Sequence, residues 1–364
     1  MTDVVHIITG LGMGGAETSL VQLAAALRAR GLSQHVVSLT SLDARAEDVR
    51  AAGIGVTMLS GDKALRLPGA LWTLVRTVNR LRPRIIQGWM YHGNLAASLC
   101  HAVLPGRGAR RLFWNLRASN RDETRYGRLL RFSARVSPPV DVTIANSQAG
   151  ETFHRGLGFR PKSFIVIGNG IDADKFRPDA ALRDTVRAEL GLAADAVVAL
   201  HVARVDPMKD HQGFLDAVTR LPALTGVMAG RGTELLSAPP NVRGLGQRSD
   251  APRLAAAADI VVSSSAFGEG FSNALAEGMS AGLLPVATDV GDARHIVDDT
   301  GFVVPPRDPG ALSAALAAAA SLSPGERRAR GLAARERIRA HFTLDAVTDR
   351  YAALYAANAA GEEG

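Results

Sequence analysis

Short runs of β-branched and other apolar residues alternate along the whole chain with stretches whose apolar residues recur at helical spacing. In the first half the runs are Val4–Thr9, His35–Leu39, Gly55–Leu59, Arg84–Gly88, Arg111–Trp114, Asp141–Ala145 and Phe164–Ile167. In the second half they are Val197–Val202, Gly226–Ala229, Val242–Leu245, Asp259–Ser263, Leu284–Ala287 and Gly301–Val304. A strand–helix rhythm of this kind predicts parallel sheets with crossover helices. Each half holds enough units for one doubly wound sheet. The turn formers of Gly168-Asn169-Gly170-Ile171-Asp172 place a boundary between the halves. Pro178 follows, and a new helix is expected near Arg183. The expected division is 1–168, 169–342, and a C-terminal helix and tail, 343–364, free to pack back on the first domain. That last helix carries Val347, Tyr351, Leu354 and Tyr355 at helical spacing. The alanine-rich stretch Pro309–Ser321 needs only helix propensity to explain it.

Composition supports this picture. A chain of 364 residues, 47% apolar, is long enough for two well-filled cores. The single cysteine, Cys100, excludes an internal disulfide framework and a cysteine-based metal site, and fits a reducing, cytoplasmic compartment. The opening segment Met-Thr-Asp-Val-Val-His-Ile-Ile-Thr-Gly lacks a basic leader region. Every apolar run falls short of the roughly 20 residues that cross a bilayer, so a soluble or peripheral protein is expected. The net charge of +7 is unevenly spread. Residues 1–170 hold 22 lysines and arginines against 10 acids, and residues 171–364 hold 20 against 25. The stretch Arg107–Arg135 has nine arginines against Asp122 and Glu123, with Phe113, Trp114, Tyr126 and Phe132 between them. It matches no nucleic-acid-binding motif. Arg125, Arg128, Arg131 and Arg135 on one helix fit an anionic membrane surface or a phosphorylated acceptor better. A plain solvated basic face is the competing reading.

Three segments carry chemistry. Gly10-Leu11-Gly12-Met13-Gly14-Gly15-Ala16-Glu17 leaves the first strand and opens a helix. Glycines let the backbone approach a ligand closely, and a helix N-terminus offers free N–H groups to a diphosphate. Gly10, Gly12 and Gly15 fit the dinucleotide spacing, but no acid follows the second strand, where Ser38, Leu39, Thr40 and Ser41 stand. A nicotinamide cofactor would need one there. A tight turn without ligand is the alternative. The second segment, Leu200 to Asp210, places Arg204 and Lys209 at the carboxyl edge of the second sheet, where two cations can hold a diphosphate. Alone, the pair could equally be two surface cations. In the third, Gly268-Glu269-Gly270-Phe271-Ser272-Asn273 exposes one carboxylate at a helix entrance, with Ser272 as the expected cap, and Glu277 lies inside that helix. Carboxylates at this spacing can each take a pair of vicinal hydroxyls, on a sugar or on a ribose.

In this order the three segments resemble glycosyltransferase family 4, over about residues 4 to 310. The most specific part is Glu269-Gly-Phe-Ser-Asn-Ala-Leu-Ala-Glu277, followed by Leu283-Leu-Pro-Val-Ala-Thr-Asp-Val-Gly-Asp292. Ile167 to Asp172 with Phe176 and Pro178 looks like the family's interdomain stretch, and Trp89-Met-Tyr-His-Gly-Asn-Leu95 resembles a lipopolysaccharide-core and surface-polysaccharide subgroup. The resemblance implies a GT-B fold: two Rossmann-like doubly wound parallel-sheet domains facing across a cleft. It also implies roles. Arg204 and Lys209 would bind the donor diphosphate, Glu277 the ribose and Glu269 the transferred sugar. Gly270, Phe271, Ser272 and Asn273 would shape the donor pocket, partly by main-chain amides. Gly14 and Gly15 would approach the phosphates, and His92 the donor sugar. The family's usual two glycines and glutamate after Asp289 are replaced here by Gly291, Asp292 and His295, so the sugar does not carry over.

The implied activity is retaining transfer from a nucleotide-diphosphate sugar to a glycan or lipid-linked acceptor, in polysaccharide or lipopolysaccharide synthesis. Arg204, Lys209, Glu269 and His92 would be the catalytic set. No metal or other cofactor is expected, since the two cations can stabilise the leaving diphosphate, and no nucleic acid is expected as a partner. A cytoplasmic protein, peripheral at the inner face of the cell membrane, fits these readings. The competing readings are a sugar-nucleotide epimerase or hydrolase and a non-catalytic nucleotide-sugar binding protein.

Overall fold

The computed structural model describes residues 2–12, 14–41, 43–59, 68–117 and 123–359. The chain forms two compact units, Met1–Gly170 together with Leu344–Gly364, and Ile171–Thr343. The first unit has strands β1 (Val4–Ile8), β2 (Gln34–Ser38), β3 (Gly55–Met58), β4 (Ile85–Trp89), β5 (Arg111–Leu116), β6 (Val142–Ala145) and β7 (Ser163–Val166). They pair in parallel in the order β3-β2-β1-β4-β5-β6-β7. The second unit has β8 (Val197–Val202), β9 (Leu224–Ala229), β10 (Val242–Gly244), β11 (Ile260–Ser263), β12 (Leu284–Thr288) and β13 (Phe302–Val304). These pair in parallel in the order β10-β9-β8-β11-β12-β13. Every strand read from the sequence is present, with ends that agree to within two residues.

Parallel strands covered on both faces are apolar throughout, and the first unit shows why. Successive side chains point to opposite faces of a strand. Val4 and Ile8 of β1 therefore enter one core with Trp89 and Phe113, while Val5 and Ile7 enter the other with Leu112 and Trp114. The second unit divides Val261 and Val262 of β11 in the same way. The C-terminal helix Leu344–Ala359 sends Val347, Tyr351 and Tyr355 into the first unit's core beside Trp89 and Phe113; Leu354 is only half-buried there.

The chain passes between the units at Gly170–Ile171 and again at Thr343–Leu344. A Cβ on Gly170 would collide with the backbone of Leu344, so only glycine fits. The Ile171 amide donates to the Phe342 carbonyl at 2.8 Å. Helix Ala180–Glu189 then opens on Asp179, whose side chain accepts from the Leu182 amide. Among the described residues no helix is long and apolar enough to cross a membrane.

In each unit the chain winds from a central strand to one edge, returns to the centre and winds to the other edge. The order reverses between β1 and β4, and again between β8 and β11. Loops leaving the carboxyl ends of strands at such a reversal diverge and leave room for a ligand.

Candidate functional site

In the second unit, the loops after β8 and β11 flank the reversal. Asp206 accepts from the Met208 amide at 3.0 Å and so shapes the turn Pro207–Lys209. Asp210 follows in the left-handed region (φ 46°), which a short polar side chain tolerates. Its carboxylate accepts from the Gly213 amide at 3.0 Å and starts helix His211–Thr219. The Ala266 amide donates to the Met208 carbonyl at 2.9 Å, which stitches the two loops together. Beneath them, Ser264 Oγ lies 2.9 Å from the Lys209 carbonyl and 3.0 Å from His201 Nε2. Burial, with His211 and Lys209 nearby, pulls His201 down to about 3 and keeps it neutral.

This framework aims Lys209 at Glu269, and the two form a half-buried ion pair. Ser265 Oγ donates to the same carboxylate oxygen at 2.8 Å, and the Thr288 hydroxyl holds the Ser265 carbonyl at 2.6 Å. The loop after β12 braces the arrangement. Gly291 sits at φ 63°, and a Cβ on it would collide with the carbonyls of Glu269 and Gly270. The Asp292 amide donates to the Gly270 carbonyl at 3.0 Å. Glu269 therefore stands on a loop fixed from two sides.

Arg204 is exposed and pairs with Asp206 at 3.0 Å. Burial pushes the Asp206 carboxyl up, but the Met208 amide and Arg204 outweigh it and hold the group below its usual range. Both cations thus have acid partners, Asp206 and Glu269, and an incoming anion would exchange with them. Glu277 lies in helix Asn273–Ser280, half-buried, and its carboxylate has no hydrogen bond or ion pair with any described residue. Burial raises it to about 7, against the pull of Lys175.

Two expectations need correcting: the Glu269 carboxylate is buried rather than exposed, because Lys209 and Ser265 cover it, and Ser272 does not cap its helix. Ser272 occupies the N-cap position, but its side chain makes no capping bond. With φ −82° and ψ 103° the residue is extended, and its hydroxyl makes no bond to the first-turn amides. Phe271 is a core residue, edge-to-face with Phe342 at 5.3 Å, so only its main chain is available to a ligand. Asn273 begins the helix, half-buried.

In the first unit, the loops after β1 and β4 flank the reversal. Gly14 is the N-cap of helix Gly15–Ala29, and a Cβ on it would displace the flexible Glu17 carboxylate. Gly15 has nothing near its Cβ position, so neither glycine of the pair is demanded by packing. Met13 lies outside the described residues. After β4 the chain enters helix Met90–Val103 with no loop, and Met90 takes φ 60°. A non-glycine residue in that region stores about 1–2 kcal/mol. A Cβ on Gly93 would collide with the Ile7 carbonyl, so the helix is seated directly on β1. His92 stands exposed in its first turn.

Behind these residues the Trp89 indole donates to His6 Nδ1 at 3.2 Å, and His6 Nε2 lies 3.0 Å from Gln34 Oε1. Burial, partly opposed by Gln34, pulls His6 to about 4. Sequence reasoning missed this neutral relay, as it missed the supporting hydroxyls of Ser264 and Ser265, because buried polar partners follow from tertiary contacts. In the sequence Arg117 is one of nine arginines between Arg107 and Arg135; its place right after β5 is the available signal. Among the described residues, no group of three or more histidine, cysteine, aspartate or glutamate side chains could hold a metal ion. Of the basic helix Glu123–Arg135, Arg128, Arg131 and Arg135 are exposed; the side chain of Arg125 lies outside the described set.

The family model described as Glycosyltransferase Family 4 matches residues 13–175, and that described as Glycosyl transferases group 1 matches 196–321. A D-inositol 3-phosphate glycosyltransferase of Geodermatophilus obscurus is 32% identical over 232 residues, which covers 54% of this chain and 48% of that protein. One from Streptomyces scabiei is 30% identical over 206 residues, 49% of this chain and 45% of that protein. The chain thus spans about half the length of the curated relatives it matches. Among solved structures, Anabaena Alr3699/HepE in complex with UDP superposes with a TM-score of 0.85 at 22% identity, covering 98% of this chain and 100% of that one. Sucrose-phosphate synthase of Thermosynechococcus elongatus gives 0.81 at 20% identity, with 98% of each chain covered. With both family models matched in order and the fold shared along nearly its whole length, the chain carries a Glycosyltransferase Family 4 domain followed by a Glycosyl transferases group 1 domain and has the GT-B fold of a glycosyltransferase.

Proposed function

We propose that the protein is a retaining glycosyltransferase whose second unit binds a nucleoside-diphosphate sugar and whose first unit binds the acceptor. The observation that carries this is the Lys209–Glu269 pair held at the strand reversal by Ser265, Thr288 and Gly291. A preorganised cation and carboxylate at this edge suit a diphosphate and a sugar hydroxyl in turn. Lys209 and Arg204 exchange their acids for the donor phosphates, and the uncapped amides of helix Asn273–Ser280 add to the same anion. Glu277, half-buried and without a hydrogen-bond or ion-pair partner among the described residues, takes the ribose hydroxyls. Glu269, freed from Lys209, meets the transferred sugar.

In the reaction the bond from the anomeric carbon to the phosphate oxygen breaks as the acceptor hydroxyl attacks from the same face. The acceptor proton passes to the departing phosphate oxygen. Charge gathers on the diphosphate, where the two cations stabilise it. These cations take the part a metal would play, so turnover should be unchanged in a chelator. HepE is known in complexes with UDP and with UDP-glucose, which makes uridine the first base to try. The matched relatives are named for an inositol phosphate acceptor, and the first unit is the basic one. The lipopolysaccharide and surface-polysaccharide reading rests on the Trp89–Leu95 segment, and a lipopolysaccharide outer core galactosyltransferase, WaaB, shares the fold at a TM-score of 0.68 and 15% identity. A thermal-shift screen over nucleoside diphosphates and their sugar conjugates tests the reading, because occupancy raises the melting temperature. One diphosphate series should stand out, and a flat response to every one of them would refute the donor assignment. Product analysis with and without acceptor separates transfer from hydrolysis or epimerisation.

A membrane-facing role rests on a separate observation. Trp72 is 61% exposed with Arg76 stacked over it at 4.8 Å, and Phe132 is 54% exposed among Arg128, Arg131 and Arg135. Exposed aromatics beside arginines suit the headgroup region of an anionic bilayer. Co-sedimentation with phosphatidylglycerol vesicles at low salt, and release at high salt, is the expected result. No sedimentation at either salt would exclude it.

A further inference from the structure

Arg117 follows the last residue of β5, one strand from the reversal in the first unit, and among the described residues it is a cation without an anion. Its guanidinium lies 4.7 Å over the Trp89 ring. Nε donates to Asn115 Oδ1 at 2.9 Å, one terminal nitrogen donates to Asn169 Oδ1, and the other to the Tyr351 hydroxyl at 3.2 Å. All three partners are neutral, and no carboxylate of a described residue pairs with it. Burial pulls Arg117 below its ordinary value, with Tyr351 and Tyr355 opposing.

Two buried arginines of the second unit are answered inside the fold. Arg187 meets Asp259 at 2.9 Å, and the carbonyls of Ala319, Ala320 and Leu322, at the negative end of helix Pro309–Ser321, meet Arg327. A buried guanidinium that lacks a carboxylate is costly unless something else supplies the negative charge. A guanidinium has five donors, so two N–H groups of Arg117 remain after its three bonds. The residue is also not sealed in, since part of it reaches solvent. The ring beneath and the three neutral partners fix the plane of the fork. A rigid, charge-unanswered fork at the carboxyl edge of a parallel sheet is a receptor for an oxyanion.

We propose that Arg117 is the anion-recognition residue of a second ligand site, on the first unit, that takes a phosphate group carried by the acceptor. That the phosphate belongs to the acceptor rests on the function proposed above; the anion site itself does not.

The test uses the full chain with the donor side weakened by Lys209→Ala, so that phosphate reports less from the second unit, where Arg204 remains. Inorganic phosphate is titrated by calorimetry against sodium chloride of equal ionic strength. Saturable binding is expected, and adding Arg117→Gln should weaken it at least tenfold. Arg117→Lys keeps the charge but loses the fork, and should weaken it at least threefold; it also decides the matter should the Gln variant not fold. A strut that merely ties β5 to the C-terminal helix would change the melting temperature and leave phosphate affinity alone. No saturable phosphate binding in the Lys209→Ala protein, or affinity unchanged by either substitution at Arg117, overturns the proposal. A nucleoside diphosphate titrated into the wild-type chain reports on the donor reading separately, so a chain that takes phosphate through Arg117 and no nucleoside diphosphate keeps this site and loses that reading.

Discussion

At their strand reversals the two units offer opposite chemistry on one scaffold. In the second, Lys209, Glu269, Arg204 and Asp206 form ion pairs on loops pinned to one another. In the first, a glycine turn, the exposed His92 and the neutral Trp89–His6–Gln34 relay stand in the same positions, with one unanswered cation, Arg117, at the margin. Each reversal also carries one non-glycine residue in the left-handed region, Asp210 in the second unit and Met90 in the first. Asp210 is relieved by its own cap on Gly213, whereas Met90 has no such device and is held by the helix seated on β1. The topology fixes where a ligand can sit, and the side chains decide which one. Dense paired charge suits a highly charged donor, and sparse charge suits an acceptor met mainly through hydroxyls and one phosphate.

The comparison is broken most sharply at Lys209. Lys209→Ala should lower turnover by roughly 10²-fold or more, the scale of losing a preorganised donor to the leaving group. His92→Ala in the first unit should cost less in the same steady-state assay. If the two losses were reversed, the electrostatic burden would lie in the wrong unit.

A pair of glycines gives the next effect. Gly291→Ala adds a Cβ against two carbonyls at a positive φ, and should destabilise by about 2 kcal/mol. Gly15→Ala meets nothing within 4 Å and should cost no stability. Urea unfolding of both variants measures the contrast, and equal losses would contradict the packing described.

Glu277 titrates with a predictable sign. Its carboxyl is raised to about 7 in the folded chain from an ordinary 4.5. Between those values the folded state holds the extra proton, so its contribution to stability falls as pH rises through this window. Glu277→Gln should therefore raise the melting temperature at pH 8 by about 2–4 °C, and change it little near pH 4. Nucleotide binding should weaken in the same variant, since a carboxylate that served the ligand is gone. A lower melting temperature at pH 8 would mean that the acid has a stabilising partner. The smallest effect belongs to Ser272→Ala: a working cap is worth about 1 kcal/mol, and a hydroxyl that caps nothing should cost under about 0.5 kcal/mol by the same unfolding assay.

The fold was legible because period-two burial and helical spacing are local signals. Val4 and Val5 already announce a strand covered on both faces. The positions of Arg204, Lys209 and Glu269 were legible for a related reason: each lies in a loop that follows a strand, so topology alone brings the three to one edge, and Glu277 lies inside the helix that the last of these loops enters. What stayed hidden depends on distant contacts. Nothing in the sequence pairs Lys209 with Glu269 across a separation of sixty positions, turns Phe271 inward toward Phe342, or leaves Ser272 short of the amides it precedes. Arg117 is the sharpest case. Among nine arginines in its stretch it looks ordinary, and only the asparagines, the tyrosine and the tryptophan packed around it show that its charge has no answer.

The most direct measurement is a calorimetric comparison of a nucleoside diphosphate with its monophosphate, on the wild-type chain and on Lys209→Ala. If the second unit's reversal grips a diphosphate through Lys209, the wild type should prefer the diphosphate by at least tenfold and the variant should lose most of that preference. A preference that survives the substitution intact, or a wild type indifferent to the second phosphate, would contradict it.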